Sequence, residues 1–466
     1  MKNQDIKFFK LFLIIFAASL AWLFLPDSSG LSKQALHMLI IFIASMAGIM
    51  LEVCKPVACL LISMAIATLF GIIDVKQGFT GFSNTVPWLL FLVLSLSKVI
   101  TKTTLGLRLA YLFMKCFGKG ILGLSYSITL TELLVSPILP SNTARGASVG
   151  FPLVTSLSQY ISSKIKGVSE KSVGSYLSLL YAYNSAICSG MFLTAMISNA
   201  IIVESASNIG IQLTWLSWAK YMFIPCLIIL LILPFILRIL CNPKIKDLGD
   251  IKKEAEKNYK DLGALTSKEK FIISVFVGML ILWIFGDSIG VSVMTTTLLG
   301  CSIFILSGIL DIKEMLSCYS TFSAVMMLGI LISYVNCLIS FGAIDWFNGL
   351  ISGTLVGLEK NLAFILLSLI YYFTHYFFSG EGARIIALYV PFLATGVALG
   401  VDKIVVVMTL AFFSSASDVL THYGCPVAIT MFSSGYISAK KWVFCGIITA
   451  LVIMAIWFSY IAFWIN

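Results

Sequence analysis

Apolar runs recur from one end of this 466-residue chain to the other, at residues 8–25, 34–51, 56–73, 177–200, 217–241, 271–287, 290–310, 361–378 and 443–465. Each approaches the roughly 17 to 25 residues that a helix needs to cross a hydrocarbon core. Less regular apolar segments lie between them, so the pattern predicts about eleven membrane-spanning helices. Backbone groups in lipid must pair within their own segment, which makes the expected fold all-α. Two short polar phrases break the pattern. Ser141-Asn142-Thr143-Ala144-Arg145 is followed by Pro152, and Gly380-Glu381-Gly382-Ala383-Arg384 by Pro391, each proline seven residues after the arginine. Small polar residues at membrane depth are tolerated where they are buried in protein or line a cavity, so each phrase is read as a re-entrant hairpin tip.

The phrases sit in two halves that match in order. Phe82-Ser83 and Phe322-Ser323 each lead into an apolar run, the Ala-Arg phrase follows, and Leu193-Thr194 then corresponds to Leu420-Thr421. The expected organisation is an N-terminal anchor helix at 1–33, a first repeat with an inward hairpin at 34–242, a cytoplasmic linker at 243–270 and a second repeat with an outward hairpin at 271–466. An odd number of spans per half inverts the repeats, bringing both phrases to the midplane from opposite sides. The first apolar run follows Lys2, Lys7 and Lys10 as a signal peptide would, but so many spans come after it that it reads as a retained anchor.

Composition agrees: 59% of the residues are hydrophobic and 11% charged, against roughly 25% charged in a soluble domain. The net charge of +10 is topological. Lysines crowd the segment from Lys244 to Lys270 and recur at Lys164, Lys166, Lys171, Lys440 and Lys441, whereas Lys33, Lys76, Lys360 and Lys403 fall on the other side. The positive-inside rule then puts the N-terminus in the cytoplasm and the C-terminus outside, with a bacterial inner membrane as the expected location and no nucleic acid as partner. The eleven cysteines, among them Cys188, Cys226, Cys301 and Cys445, lie mostly in or beside apolar runs without ligand spacing, so neither a disulfide framework nor a metal cluster is expected. Three scattered histidines and the lack of an HExxH or GxSxG context argue against an enzyme.

The phrases supply the chemistry. Hydroxyls, an asparagine amide and freed backbone N–H groups can bind a carboxylate, and one tip per half suits a substrate with two of them. Arg145 and Arg384 add fixed charge, which is costly at membrane depth and marks a functional site by default. Glu381 either pairs with Arg384 three residues on, or ligates a cation or titrates with a proton. Asp418 is an intramembrane acid without an assigned partner, and His375 and His422 can equally bond a neighbouring helix. Glu132 and Glu204 read as structural or interfacial, and Trp22, Trp88, Trp283 and Trp464 as interfacial anchors or core.

Several stretches together resemble the divalent anion/sodium symporter family, in its branch of citrate/succinate and plastidic 2-oxoglutarate/malate translocators. Pro140-Ser141-Asn142-Thr143-Ala144-Arg145-Gly146 is similar to that branch's first hairpin, and Met191-Phe192-Leu193-Thr194-Ala195-Met196 with Asn199 to its first broken helix. Leu420-Thr421-His422-Tyr423-Gly424 is similar to the second broken helix, and His375-Tyr376-Phe377-Phe378 leads into the second phrase as it does there. Ser83-Asn84-Thr85 repeats the motif letters too early in the chain and is read as a decoy.

The resemblance implies an elevator-type homodimer in membrane lipid, whose moving domain carries a di- or tricarboxylate. It implies substrate contacts from Ser141, Asn142 and Thr143 on one side and Gly380, Glu381 and Gly382 on the other, with Arg145, Thr194, Arg384, Thr421 and His422 alongside. No cofactor is expected. Sodium-coupled members imply cation sites at Ser141, Asn142, Gly190, Thr194, Glu381, Asp418 and Thr421. This chain departs from the family in the second phrase, where Ser-x-Thr becomes Gly380-Glu381-Gly382. An arginine left uncompensated in an empty site would resist crossing the membrane, so sodium-independent antiport is expected, with sodium symport as the alternative.

Overall fold

The computed structural model describes residues 2–24, 30–51, 53–139, 141–165, 167–196, 198–243, 245, 251–317, 319–343, 346, 359–378 and 380–464. Among the described residues every regular element is helical. Trp215–Cys241, Ser267–Ile289, Thr321–Ser340, Glu381–Ala398 and Ala439–Phe463 are long and apolar enough to cross a membrane. Val75–Ser83 and Thr85–Thr101 together pass the same test, bent by 49°. Shorter apolar helices include Phe8–Phe24, Lys33–Ile49, Pro56–Leu69, Gly120–Val135 and Val293–Leu306. The chain is an all-α multi-pass membrane protein.

Two compact units divide the chain, and each draws on both halves of the sequence. One contains Met1–Phe91, Lys313–Tyr371 and Gly382–Val406. Its helices are joined through small and hydroxyl residues: Ser63 and Tyr334 share a 2.7 Å hydrogen bond, and the Gly81 N–H donates to Ser333 Oγ at 2.8 Å. A Cβ on Gly81 would collide with the Gly329 carbonyl, so glycine alone permits this approach. The Asn84 amide oxygen accepts from Val86 N at 2.8 Å, a local turn bond within this first unit. The expectation of no disulfide framework needs one correction. Cys54 and Cys59, five residues apart, are bonded to each other, a local link that closes a single turn of chain.

The second unit contains Leu92–Ile312, Tyr372–Glu381 and Val407–Asn466. The described part of the linker forms the helix Ile251–Asp261, which buries Ile251 and Ala255. Arg108 docks the chain that follows, donating from Nη1 to the Gly263 carbonyl and from Nη2 to that of Leu262, both at 2.7 Å. The Lys115 and Lys260 ammoniums flank the exposed Glu256 carboxyl of the linker helix and hold it below its usual range. Thr266 ends the linker with a capping box: its hydroxyl accepts from Glu269 N at 3.1 Å while Glu269 Oε2 accepts from Thr266 N at 3.0 Å.

Among the described residues, several helix interruptions lie in this second unit. Gly120–Val135 turns into the one-turn helix Asn142–Arg145, then a π-segment at Gly146–Gly150 and the helix Phe151–Lys164. Glu170–Met191 stops before Asn199–Asn208, and Lys403–Ala416 stops before Pro426–Ser433. Each break frees backbone groups that must find side-chain partners at membrane depth. The Asn199 amide supplies three such bonds, donating to the carbonyls of Ser189, Phe192 and Leu193 at 2.9, 3.1 and 3.3 Å.

Candidate functional site

The first phrase is anchored from behind and open at its tip. Ser141 Oγ caps the one-turn helix by accepting from Ala144 N at 3.2 Å. Arg145, fully buried, spends its donors on the protein. Nε lies 2.7 Å from Glu132 Oε1, Nη1 donates to the carbonyls of Leu139 and Ala195 at 2.7 and 2.8 Å, and Nη2 donates to Ser189 Oγ at 2.9 Å. Tyr181 completes the knot, donating to Glu132 Oε2 at 2.7 Å. The arginine thus ties the hairpin to the first broken helix as one half of a buried neutral pair. Thr143 stays exposed, and Asn142 turns inward with its Oδ1 accepting from Thr143 N at 2.8 Å.

That bond orients the Asn142 amide, so its Nδ2 is the group that faces Glu381 Oε1, at 2.8 Å. One residue of each phrase therefore meets the other inside a single unit. This corrects the expected Glu381–Arg384 pairing. Glu381 opens the helix Glu381–Ala398, and side chains lean toward a helix's N-terminus, so its carboxylate projects off the end, away from the helix face. Glu381 is 7% exposed, and its Oε2 has no hydrogen-bond partner. A Cβ built on Gly380 would meet nothing within 4 Å, so open space borders the residue before Glu381. Gly382 and Arg384 belong to the other unit. There the Arg384 guanidinium rests 4.8 Å from the Tyr371 ring centroid and Nη1 donates to the Tyr371 carbonyl at 3.1 Å.

The second broken helix lines the same region of the second unit. His375 Nδ1 lies 3.8 Å from Asp418 Oδ1 and 3.4 Å from Ser417 Oγ, all buried. Gly424 is packed against His375 Nε2 and Thr421 Oγ1 so closely that no Cβ fits. The buried Thr421 hydroxyl has no hydrogen-bond partner. The Cys425 thiol, which accepts from Ala428 N at 3.4 Å, lies within electrostatic range of both Asp418 and Glu381. His422 packs against Phe432 at a tilt of 34°, with ring centroids 4.2 Å apart.

In the first broken helix, Thr194 donates to the Pro137 carbonyl at 3.0 Å and accepts from Trp215 Nε1 at 3.3 Å. The Gly190 carbonyl accepts from Trp218 Nε1 at 2.9 Å. The second unit thus contains Ser141, Asn142, Thr143, Gly380, Glu381, Asp418, Thr421 and His422 as well as both helix breaks. Sequence reasoning missed Glu132 as the counter-ion of Arg145, and Tyr181 and Cys425 altogether. The signal for Glu132 was present: an acid in an apolar helix, thirteen residues before an arginine, must find a partner.

The pattern of the sodium:sulfate symporter transmembrane region matches residues 5–466. The chain is 34% identical over 460 residues to the putative malate transporter YflS of Bacillus subtilis, covering 98% of this chain and 95% of that one. It is 28% identical over 465 residues to the citrate/succinate antiporter of Escherichia coli, covering 94% and 95%. In fold it is similar to the solved structure of Neisseria gonorrhoeae MtrF, with a TM-score of 0.58 at 13% identity, covering 96% of this chain and 97% of that one. Matched by the family pattern over residues 5–466 and by a relative at 34% identity over 98% of its length, the chain belongs to the sodium:sulfate symporter family, the divalent anion/sodium symporters, and is a membrane transporter.

Proposed function

We propose that this transporter carries di- or tricarboxylates of the succinate, malate, 2-oxoglutarate or citrate class, exchanging one anion for another without sodium. The observation that carries this reading is the Asn142–Glu381 hydrogen bond, which brings a phrase from each half of the sequence to one place beside two broken helices. The names of the malate and citrate/succinate relatives support the substrate class, and the second also supports exchange. Glu132 offsets the Arg145 charge, so the block on empty movement has a different origin. An empty site leaves Glu381 Oε2 and Thr421 Oγ1 buried without partners, which is costly in an apolar surrounding; a substrate carboxylate relieves Thr421 by accepting from its hydroxyl, and a substrate that brings an O–H or N–H relieves Glu381 as well. Movement with substrate is thereby favoured over movement without it. The same proposal has the chain working as an elevator-type homodimer in lipid, in a bacterial inner membrane with its N-terminus inside and its C-terminus outside.

Sodium symport is the second reading, and the same two oxygens favour it. Glu381 Oε2 and Thr421 Oγ1 are hard oxygen donors of the kind a sodium ion takes, whereas Gly190 O and Thr194 Oγ1 already serve Trp218, Pro137 and Trp215. The deciding experiment is uptake of labelled malate into proteoliposomes, empty or preloaded with a dicarboxylate, with and without external sodium. Uptake that needs internal dicarboxylate and ignores sodium is expected. Uptake into empty vesicles driven by sodium would replace exchange with symport.

A further inference from the structure

We infer that Glu381 is a specificity-determining residue: its second carboxylate oxygen takes a hydrogen bond from a donor, a hydroxyl or an ammonium, on the carbon next to one of the substrate's carboxylates. The inference rests on the transport reading above and names which carboxylates that site prefers. Three observations lead to it. Glu381 is 93% buried, since only 7% of its surface is exposed, and Oε2 has no hydrogen-bond partner while Oε1 is held by Asn142. Open space borders the preceding residue, since a side chain built on Gly380 would touch nothing within 4 Å. Gly380 carries no side-chain donor, so this end of the site offers an acceptor where a plain carboxylate would need donors.

The nearest fixed cation on the first phrase does not relieve this, because Arg145 is consumed by Glu132 and by backbone carbonyls. A ligand carboxylate placed against Glu381 would meet like charge in a dry site, whereas an O–H or N–H⁺ there forms a charge-assisted bond. Asn142 makes the arrangement directional. Its amide is oriented by Thr143 N, so it always presents N–H to residue 381. A glutamine at 381 would therefore turn its carbonyl to Asn142 and place its NH₂ where Oε2 stood, converting an acceptor into a donor.

The test is competition against labelled malate exchange in sodium-free, malate-loaded proteoliposomes, with malate, aspartate and succinate as competitors. The wild-type protein should take malate or aspartate at least about tenfold better than succinate, because a site built around a hydrogen bond rejects the analogue that lacks it. The malate and aspartate arms separate hydroxyl from ammonium. Glu381→Gln should reverse the order, gaining succinate and losing aspartate. A wild-type protein that takes all three alike, or a Glu381→Gln variant that keeps the wild-type order, overturns the inference and leaves carboxylate transport standing. Failure of every carboxylate with the wild type sinks the transport reading itself, and exchange that appears only with sodium hands Oε2 to the cation and overturns the inference too. Should the glutamine variant not reach the membrane, Glu381→Ala serves: malate and succinate should then compete equally, and a preserved preference counts against Glu381. If that variant fails as well, the wild-type order alone decides.

Discussion

Arg145 and Arg384 end the same written phrase, yet they live in different electrostatic settings. Arg145 has a carboxylate at 2.7 Å, two carbonyls and a serine, so its planar fork is used in three directions. Arg384 lies over the Tyr371 ring and donates to that residue's carbonyl. The acids of the two phrases have separated as well: the first arginine takes an acid from the preceding helix, while the second phrase's own Glu381 reaches Asn142. Repeated letters record a common plan, but the partner each letter finds decides its work. In the first phrase charge is consumed to build the hairpin, and in the second a buried acidic group keeps one oxygen without a partner.

The contrast can be broken most forcefully at the first arginine. Arg145→Ala leaves Glu132 buried without its cation and should cost about 3–5 kcal/mol, seen as loss of folded, monodisperse protein in detergent. A variant that melts like the wild type and exchanges fully would mean that the pair does not hold the hairpin. Asn199→Ala comes next, because it uncovers the carbonyls of Ser189, Phe192 and Leu193 in a fully buried position. A drop of roughly 2–3 kcal/mol in unfolding free energy is expected, and no change would show that the first break is held otherwise.

Gly424→Ala sharpens the comparison from the side of the second break. Its methyl would press on His375 and Thr421, an overpacking of about 1–3 kcal/mol that should depress exchange more than thermal stability. Equal losses in both would make Gly424 a packing residue only. The smallest effect is expected from Arg384→Lys, about 0.5–2 kcal/mol, since an ammonium can still face the Tyr371 ring. The same exchange at Arg145 should cost distinctly more, because lysine has no fork to span Glu132, the carbonyls and Ser189. Melting curves of the two lysine variants side by side check this order, and a reversed order would exchange the roles assigned to the two arginines.

Much of this was legible in the chain itself. The apolar runs announce an all-helical membrane fold, the two phrases mark the hairpin and the helix start, and Thr194 and Thr421 stand where helices break. Thr266-Ser267 ends the linker as a capping box because that motif is local. The fork of Arg145 was not legible, since its partners come from Glu132, Leu139, Ser189 and Ala195, three separate stretches joined only by packing. Glu381 illustrates the same limit: three residues from an arginine, it was expected to pair along the helix, and its place at the helix's first residue sends it elsewhere. The Cys54–Cys59 bond escaped for a different reason, because spacing arguments look for frameworks and this link is an isolated local one.

Hydropathy, helix length and local capping are properties of contiguous residues, so the sequence by itself determined the helical membrane fold, the position of each polar break and the residue types available there. Which acid neutralises which arginine, and which carboxylate oxygen is left without a partner, depend on contacts between segments as many as 239 residues apart, such as Asn142 with Glu381. Buried charges and amides take whichever partner reaches them with the best geometry once water is excluded, and only the packed chain fixes that geometry.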